Sequence, residues 1–454
     1  MTDEPQPDAP AFDPAASHQV RPKLRRVRGF PVPVKTQDGQ EQTLLGLADA
    51  QQISSKMIAT APAVQTVLPQ LDGTKTIDEI VQAVGRGLTA DFLQKLVAQL
   101  DDAALIEGPT FEALAAEMQQ KFDSAPHLPP GSTAQFADAL VTKKIGQEAT
   151  DEQKSELGPQ EVRAAFDAWI DHALAEADDP AFEALPSAVI APHIDYPRGW
   201  INYAQVWGRM RTTERPDRIL IMGTNHFGRA TGVCACDKGY ETPLGISPVA
   251  GDLLEALHGE LGEDDAAKLM EHRFDHENEH SIELQIPWIQ HCLGEADGGE
   301  HVPVLGVLVH DPTVSDGESY DGAGLGYQPF VEAMARALER VGGTTLIVSS
   351  ADLSHVGPAF GDQQPLANHD NAEAERQRVS QHDRDMLELV GANKPDDLIA
   401  SMSWQQNPTR WCSIGNMTAA MRLARPETIR MLNYAAAADQ QGTAMVTHAA
   451  VSMS

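Results

Sequence analysis

The chain has 454 residues, of which 42% are hydrophobic, enough for large buried cores and for more than one domain. Its formal net charge of −32 repels phosphate backbones, so broad nucleic-acid binding is excluded. The charge is typical of a solubilising surface, and attraction of cations or basic peptides is the alternative. No run approaches about 18 apolar residues, so no membrane span is expected. With no signal-peptide core at the acidic start and only four cysteines, a cytoplasmic protein is expected.

The first part of the chain is predicted to hold a disordered lead over residues 1–24 and a compact domain over residues 25–108. Thr76 and Glu79 form a capping box at the start of one amphipathic helix. Thr89 begins a second helix after a glycine-containing break, and a short apolar strand follows it. Two short helices with a β wing indicate a winged-helix-like domain.

Two stretches of this domain resemble PqqD-like peptide-recognition domains. They are residues 71–80, where an Asp-Gly turn leads into the first helix, and residues 101–107, where an acidic helix end leads into an apolar strand. Such domains dock a leader peptide as an added β-strand, so the resemblance implies a peptide or protein partner. The alternative is a winged helix that serves as an interaction or dimerisation module.

Residues 109–180 are predicted to be a polar helical linker without chemistry of its own. Over residues 181–454, short apolar runs alternate with amphipathic stretches. The apolar runs are candidate buried strands, at residues 188–191, 218–222, 302–309 and 345–349. Strands that alternate with helices predict an α/β domain with a largely parallel central sheet covered on both faces.

Histidines follow three of these strands directly. His193 and Asp195 come after the first strand, His226 after the second, and Asp352 and His355 lie in the loop expected after the fourth. In such sheets, ligands gather beyond the carboxyl ends of the strands. One histidine there is typical of structural hydrogen bonding. Three at equivalent positions predict a metal site or an acid–base site, because imidazole is the commonest ligand for iron, zinc and copper.

A further cluster contains three histidines spaced by four residues. One continuous helix would place His272, His276 and His280 on one face. The isoleucine stripe that begins at Ile282 instead indicates that the helix starts near Glu279. His280 then lies in the first turn, where the helix dipole lowers its pKa and favours the neutral imidazole that ligation or general-base work requires. The other two histidines are expected in loops.

Three of the four cysteines are interpreted as structural. Cys234 and Cys236 lie on a predicted strand, where alternate residues point the same way, and we expect a reduced, partly buried pair rather than a soft-metal site. Cys292, at the end of an amphipathic helix, is expected in the core. Neither a dinucleotide-binding glycine motif nor a Walker loop occurs, so no nucleotide cofactor is expected.

Four motifs of the long C-terminal part resemble those of the Memo family, which shares its fold with the class III extradiol dioxygenases (the LigB-like enzymes). The family's Pro-His-Ala-Gly-Tyr, Gly-Pro-Ser-His-His, Glu-His-Ser-Ile/Leu-Glu and Ser-Ser-Asp-Phe-Ser/Cys-His motifs correspond in order to residues 192–196, 223–227, 279–283 and 349–355, the last with one extra residue. The resemblance implies a three-layer Memo/LigB-like α/β domain.

The same resemblance assigns roles to individual residues. It implies that His193 and His226 are metal ligands. It places His280, Asp352 and His355 around the open side of the metal as catalytic residues.

The third ligand is the uncertain position of this site. The family has a cysteine there, but a gap-free alignment puts Thr409 in its place and Cys412 three residues later. We take Cys412 as the ligand, through a re-routed loop, with Asp195 or water as the alternatives. Asp195 and Phe227 replace a glycine and a histidine of the family motifs, and both changes lie close to the expected metal.

Several functions agree with this pattern, and the metal decides between the enzymatic ones. With Fe(II), the favoured metal, two histidines and a third ligand leave positions open for oxygen and a chelating substrate, as in non-haem-iron oxidoreductases. The substrate is then a peptide or a small aromatic or chelating molecule. With Zn(II), the same residues suit a hydrolase, and a copper ion with a cysteine ligand suits redox roles. The non-enzymatic alternative is a metal-binding scaffold that recruits a peptide or a partner enzyme.

Overall fold

The computed structural model of the protein describes residues 10–35 and 40–454. The chain forms two compact units, Met1–Ala125 and Pro126–Ser454, called here unit 1 and unit 2. Within the described ranges, none of the helices has both the length and the hydropathy needed to cross a lipid bilayer.

Unit 1 combines a small antiparallel sheet with helices. Its elements are α1 (Ser17–Val20), β1 (Val27–Lys35), β2 (Glu41–Asp49), β3 (Met57–Thr60), α2 (Ile77–Val84), α3 (Ala90–Asp102) and α4 (Pro109–Ser124). The strands pair antiparallel in the order β1-β2-β3. The predicted helices are α2 and α3, and the capping box is present, since the Thr76 hydroxyl accepts from the Glu79 amide and the Glu79 carboxylate accepts from the Thr76 amide. The predicted strand after α3 is only an isolated bridge between Ile106 and Leu24.

The predicted disordered lead differs from the structure. Residues 1–9 lie outside the described part, but residues 10–24 are folded and include α1. The ring of His18 and the side-chain amide of Gln19 both bind the Asp101 carboxylate, at 2.8 and 2.7 Å. The composition of the first residues is acidic and rich in proline, but these polar contacts order the part of the stretch that adjoins the domain.

The predicted linker over residues 109–180 is also not a separate segment. Its first helix, α4, belongs to unit 1. The rest, α5 (Ser132–Ile145) and α6 (Asp151–Leu174), belongs to unit 2. Phe166 of α6 is fully buried, and its ring stacks on Trp288 with 3.8 Å between centroids. The apolar face of α6 therefore covers part of the α/β unit instead of facing solvent.

Unit 2 contains the remaining strands and helices. Its strands are β4 (His127–Leu128), β5 (Ala188–Ala191), β6 (Arg218–Gly223), β7 (Cys234–Ala235), β8 (Gly239–Thr242), β9 (Gly245–Ser247), β10 (Val304–Leu308), β11 (Thr345–Ser350), β12 (Asp352–Val356), β13 (Ile429–Ala438) and β14 (Met445–Met453). Its further helices are α7 (Tyr196–Trp207), α8 (Gly251–Leu261), α9 (Glu263–Met270), α10 (His280–Glu283), α11 (Ile286–Leu293), α12 (Tyr327–Val341), α13 (Ala372–Gly391), α14 (Pro395–Gln405) and α15 (Ile414–Ala424).

The central sheet of unit 2 has a parallel centre and antiparallel edges. Its order is β12-β14-β5-β11-β6-β10-β7, and β13 pairs with β14. The pairs β5·β11, β11·β6 and β6·β10 are parallel, whereas β14, β12, β13 and β7 join antiparallel. The four predicted strands correspond to β5, β6, β10 and β11. Asp352 and His355, expected in a loop, lie on β12, because the chain turns back after β11 to pair with β14.

Helices cover the sheet and leave the ends of its central strands free. Apolar residues of α8, α12 and α15 share one core cluster with Ile190, Leu220 and Leu305 of the sheet. α7 contacts β5, β13 and β14, and its buried Tyr203 and Trp207 lie outside that cluster. This arrangement is the expected three-layer α/β domain. Since β5, β11 and β6 are adjacent and parallel, their carboxyl ends lie side by side.

Candidate metal centre

Three side chains from separate parts of unit 2 meet beyond these strand ends. The ligand atoms of His193, His226 and Cys412 all lie within 4.8 Å of one another. His193 follows β5, His226 follows β6, and Cys412 lies between α14 and α15. The structure therefore brings together the two histidines and the cysteine that the sequence placed at the metal site.

His193 is held by the chain on the neighbouring strand. It is buried, and its Nδ1 donates to the carbonyl of Ser350 at 3.0 Å. Its backbone amide donates to the Asp352 carboxylate at 3.1 Å. Because Nδ1 is occupied by this bond, Nε2 is the nitrogen that faces Cys412, whose Sγ lies 3.3 Å away.

His226 is held by a buried carboxylate. Its Nδ1 donates to Glu279 at 3.0 Å, and its backbone amide donates to the other carboxylate oxygen at 2.7 Å. Glu279 also accepts from the amide of Ser281 and so caps α10. The sequence placed the start of this helix near Glu279, which is confirmed. It did not predict that the same carboxylate binds both the ring and the amide of His226, although Glu279 is the first residue of the motif that contains His280.

Cys412 reaches the site from a loop of unusual backbone shape. Gln406, Asn407 and Arg410 have φ values of 59°, 44° and 59°, in the left-handed region that only a few non-glycine residues adopt. The Asn407 side chain ties the loop by accepting from the amide of Trp411 and donating to its carbonyl, each at 2.8 Å. The carbonyl of Cys412 accepts from the Thr224 hydroxyl at 3.0 Å. These turns bring Cys412, three residues after Thr409, next to the histidines.

His280 and Phe227 lie beside this cluster. The ring centroid of His280 is 4.8 Å from that of His226 and 5.7 Å from that of His193. Phe227 lies 5.8 Å from both His226 and His280. His226, Glu279 and His280 form a second set of potential ligands that shares His226 with the first. Phe227 therefore contributes an apolar ring at the position where the family motif has a second histidine.

Asp352 and His355 approach from β12. One oxygen of Asp352 lies 3.7 Å from Nε2 of His193. The Nδ1 of His355 is shared between the carbonyls of Leu353 and Arg410, at 3.0 and 3.2 Å. The His355 amide also donates to the Thr409 carbonyl at 2.8 Å, so β12 is hydrogen-bonded to the loop that carries Cys412.

Opposite charges stabilise one another in this region. Burial raises the pKa of Cys412, but His193 and His355 outweigh it and hold the pKa well below that of an ordinary thiol. Burial lowers the pKa of His193 and His226, but the facing carboxylates and Cys412 raise both above the usual histidine value. With these pKa shifts, the Cys412 thiolate is paired with the imidazolium groups of His193 and His226. A divalent cation that replaced the two imidazolium protons would keep the thiolate paired.

One carboxyl group and one imidazole beside these three side chains have shifted pKa values, those of Glu279 and His280. Burial opposes ionisation of Glu279, yet the charge and hydrogen bonds of His226 lower its pKa to about 2. Burial lowers the pKa of His280 to about 4. The helix-dipole argument gave the same direction for His280, and the main cause in the structure is loss of solvent. His280 is therefore neutral at pH 7 and able to accept a proton.

The other candidates from the sequence lie elsewhere or have structural partners. Asp195 caps α7, and its exposed carboxylate pairs with Arg198, so it does not join the ligand group. His276 is buried between the Tyr240 hydroxyl and the Cys234 carbonyl, at 3.2 Å from each. Thr409 is buried and its carbonyl accepts from the His355 amide, while its hydroxyl has no hydrogen-bond partner. Cys234, Cys236 and Cys292 are buried free thiols, as expected.

The donor set suits a transition metal. Both histidines have Nδ1 occupied by a protein acceptor, which fixes the tautomer that offers Nε2 to a metal. The third donor is a cysteine that its surroundings keep as a thiolate, the ligand form of this side chain. Fe(II), Zn(II) and copper all bind imidazole and thiolate, whereas Mg²⁺ and Ca²⁺ prefer oxygen ligands.

Comparison with known proteins finds relatives of this chain. A MEMO1 family protein of Methanopyrus kandleri is 25% identical over 293 residues, which are 63% of this chain and 89% of that protein. The MEMO1 family protein of Desulfurococcus amylolyticus is 26% identical over 44% of this chain and 65% of its own length. The MEMO1 family protein of Pyrobaculum arsenaticum is 30% identical over 37% of this chain and 53% of its own length. The Memo-like protein family matches residues 156–453, a range that begins within α6 and contains His193, His226 and Cys412. The chain thus belongs to the Memo-like protein family.

Proposed function

We propose that unit 2 binds a divalent transition metal, with Fe(II) as the favoured ion, through His193, His226 and Cys412. The proposal depends on one observation: three ligand atoms from distant parts of the chain lie within 4.8 Å of one another. Both imidazoles are held by hydrogen bonds of the kind that orients histidine ligands in metal sites. Bound Fe(II) would supply a redox-active Lewis acid with positions left open for oxygen and substrate.

The surrounding residues give this site its proposed oxidoreductase chemistry. His280 is neutral at pH 7, so it serves as the base that takes a proton from the substrate. Its Nδ1 lies 3.3 Å from the ionised Glu279, which stabilises the imidazolium that forms. Phe227 keeps one side of the site apolar and limits access of water. Asp352 holds the backbone of His193, and the Ser350 carbonyl holds its ring with Nε2 towards Cys412.

The proposed substrate is a peptide or a small aromatic or chelating molecule, and unit 1 is proposed to bind the peptide. Its sheet has two edge strands, β1 and β3. β1 contains Pro31 and Pro33, which cannot donate to an added strand, whereas β3 has no proline. β3 is therefore the edge at which a peptide would add as a fourth strand.

A copper ion is the second candidate. The third donor in this chain is a thiolate, whereas the two-histidine iron oxygenases use a carboxylate there. Two imidazoles and one thiolate are the donors of many copper sites, and such a site supports electron transfer.

Elemental analysis of anaerobically purified protein tests the proposal. Wild-type protein should contain about one iron per chain, and His193→Ala and His226→Ala should each remove it. If neither variant loses metal, the proposed centre is wrong. Copper in place of iron would favour the second candidate, and zinc with hydrolytic activity would make the site a hydrolase. Oxygen uptake with catechols and with candidate peptides then separates an oxidoreductase from a metal-binding scaffold.

A further inference from the structure

Outside the ligand set, unit 2 contains a buried carboxylate surrounded by uncharged donors. Asp383, on α13, is fully buried. Its oxygens accept four side-chain hydrogen bonds, from Ser354 Oγ at 2.5 Å, Trp411 Nε1 at 2.8 Å, Tyr434 OH at 2.8 Å and Thr447 Oγ1 at 2.6 Å. A carboxylate that accepts four bonds has every lone-pair site occupied, so its burial is compensated by these donors.

The direction of these bonds is fixed by their other partners. The Thr447 hydroxyl accepts from the Ser354 amide at 2.9 Å, so its own proton points to Asp383. The Ser354 hydroxyl accepts from the Trp411 indole at 3.2 Å and likewise donates to Asp383. The indole N–H has no acceptor function and can only donate. The network therefore has one arrangement of protons, with Asp383 as its common acceptor.

Three of the four donors are next to residues of the metal centre. Trp411 immediately precedes Cys412, and Ser354 lies between Asp352 and His355. Thr447 lies on β14, which pairs with β12 next to Asp352. Tyr434 is the exception, because it lies on β13. One carboxylate thus joins the cysteine loop to the strand that carries Asp352 and His355.

We propose that Asp383 is a positioning residue that holds Cys412 and β12 in the geometry that binds the metal. The proposal deepens the proposed function, since metal binding is its main readout. Asp383 contacts none of the three ligand atoms, and its effect passes through Trp411. The cysteine loop needs such a tie, because its backbone includes three residues with positive φ that its own hydrogen bonds only partly hold.

Asp383→Asn and Tyr434→Phe form a matched pair of variants. Asparagine has the shape of aspartate, but its NH₂ group donates hydrogen bonds and cannot accept them. Two donors of the network that face this group therefore lose their acceptor. Tyr434→Phe removes one donor from the same carboxylate and leaves the three that reach the metal centre. Trp411→Phe is a third variant, which keeps the carboxylate and removes its direct bond to the cysteine loop, together with the longer bond from the indole to Ser354 Oγ.

The probe is Co(II) added to metal-free full-length protein. Thiolate-to-cobalt charge-transfer absorption in the near ultraviolet reports the Cys412–metal bond, and titration gives the affinity. Asp383→Asn should weaken Co(II) binding by about 10-fold or more and reduce this absorption, as loss of an outer partner does in other metal sites. Trp411→Phe should do the same, which keeps the test informative if Asp383→Asn does not fold. Tyr434→Phe should match the wild type.

Wild-type affinity and absorption in both Asp383→Asn and Trp411→Phe would overturn the inference. An equal loss in Tyr434→Phe would also overturn it, since Asp383 would then act only through general stability of the core. If the wild type shows no cobalt–thiolate absorption, the proposed function fails, and amide hydrogen exchange on the metal-free proteins decides the positioning role. Faster exchange of residues 411–413 in Asp383→Asn than in Tyr434→Phe supports the role, and equal exchange contradicts it.

Discussion

The Sγ atom of Cys412 lies 3.3 Å from Nε2 of His193, although 219 residues separate the two in the chain. Cys412 thereby joins His193 and His226 as the third potential ligand of the candidate metal centre. Thr409, which takes the cysteine position in a gap-free alignment, is buried without a hydrogen-bond partner for its hydroxyl. The loop from Gln406 to Arg410 uses left-handed backbone to bring in the later residue instead.

Replacing the cysteine should therefore remove the metal. Cys412→Ser exchanges a thiolate for a hydroxyl, which stays protonated and binds soft or borderline metals weakly. We expect metal affinity to fall by more than about 10-fold, the lower bound seen when outer partners of metal ligands are lost. Metal content by elemental analysis measures the effect. Cys292→Ala is the control, because Cys292 is buried in α11 outside the ligand group. Equal metal content in Cys412→Ser and wild type would contradict the assignment.

Asp195 is expected to be dispensable for metal binding. Its carboxylate caps α7 and is held by Arg198, with 2.6 Å to the guanidinium Nε. Asparagine caps helices about as well as aspartate, so Asp195→Asn should change the free energy of unfolding by no more than about 0.5 kcal/mol. Its metal content should equal that of the wild type. A clear loss of metal would show that the carboxylate turns towards the ion, which was the alternative that the sequence left open.

The central part of the fold could be predicted because each strand is an apolar run followed directly by a polar loop. β5, β6 and β11 are buried on both faces, so their sequences are continuously apolar and easy to find. The role of α6 could not be predicted in the same way. Its periodicity shows that one face is buried, but not what covers that face. The short ordered stretch before β1 depends on polar contacts with Asp101, and no local pattern indicates such contacts.

At the metal centre, the residues at strand ends could be predicted and their supporting groups could not. His193 and His226 follow β5 and β6, the parallel strands on either side of β11, so topology alone places them at the same edge of the sheet. Cys412 depends on the left-handed residues of its loop, which residue spacing does not reveal. Glu279 and Asp383 occur in polar sequence that resembles any solvated helix end or face. Only the folded structure shows that Glu279 is buried against His226 and that Asp383 joins the cysteine loop to β12.

Glu279 should contribute strongly to metal affinity through His226. Glu279→Gln removes the charge and places an NH₂ group where the carboxylate accepts from His226 Nδ1, the His226 amide and the Ser281 amide. We expect metal affinity to fall by about 10- to 100-fold, the usual effect of losing a histidine's carboxylate partner. Calorimetric titration with Fe(II) or Zn(II) measures it.

Glu283→Gln is the matched control for this change, four residues along the same motif. Its carboxylate accepts from the amides of Gly131, Ser132 and Thr133 at the start of α5 and touches no ligand. This variant should lower the free energy of unfolding by about 1–3 kcal/mol, because buried donors lose their partner. Its metal affinity should stay at the wild-type value. Equal affinities for both variants would indicate that Glu279 does not orient His226.

His280 should matter for turnover and not for metal binding. Because burial lowers its pKa to about 4, it is neutral at pH 7 and acts as a base beside the two histidine ligands. His280→Gln keeps a polar side chain but cannot accept and release a proton. We expect oxygen uptake with a catechol substrate to fall by about 10²- to 10⁴-fold, the range for loss of a general base, with metal content unchanged. Loss of the metal from His280→Gln would instead make His280 a ligand.

Protonation of buried histidines should limit the stability of the protein in mild acid. Burial lowers the pKa of His276 to about 4, and the neutral ring is satisfied by accepting from Tyr240 and donating to the Cys234 carbonyl. A histidine in the unfolded chain has a pKa of about 6.5. The contribution of neutral His276 to the free energy of unfolding is therefore complete above that pH and is lost as the pH falls towards 4. The shift corresponds to about 3 kcal/mol. His280 acts in the same window, whereas the raised pKa values of His193 and His226 contribute a constant amount below pH 6.5.

Urea unfolding between pH 7 and pH 4 should therefore show a smaller loss of stability for His276→Gln than for the wild type, since glutamine keeps one donor and one acceptor without titrating. Parallel curves for the two proteins would mean that folding does not shift the pKa of His276.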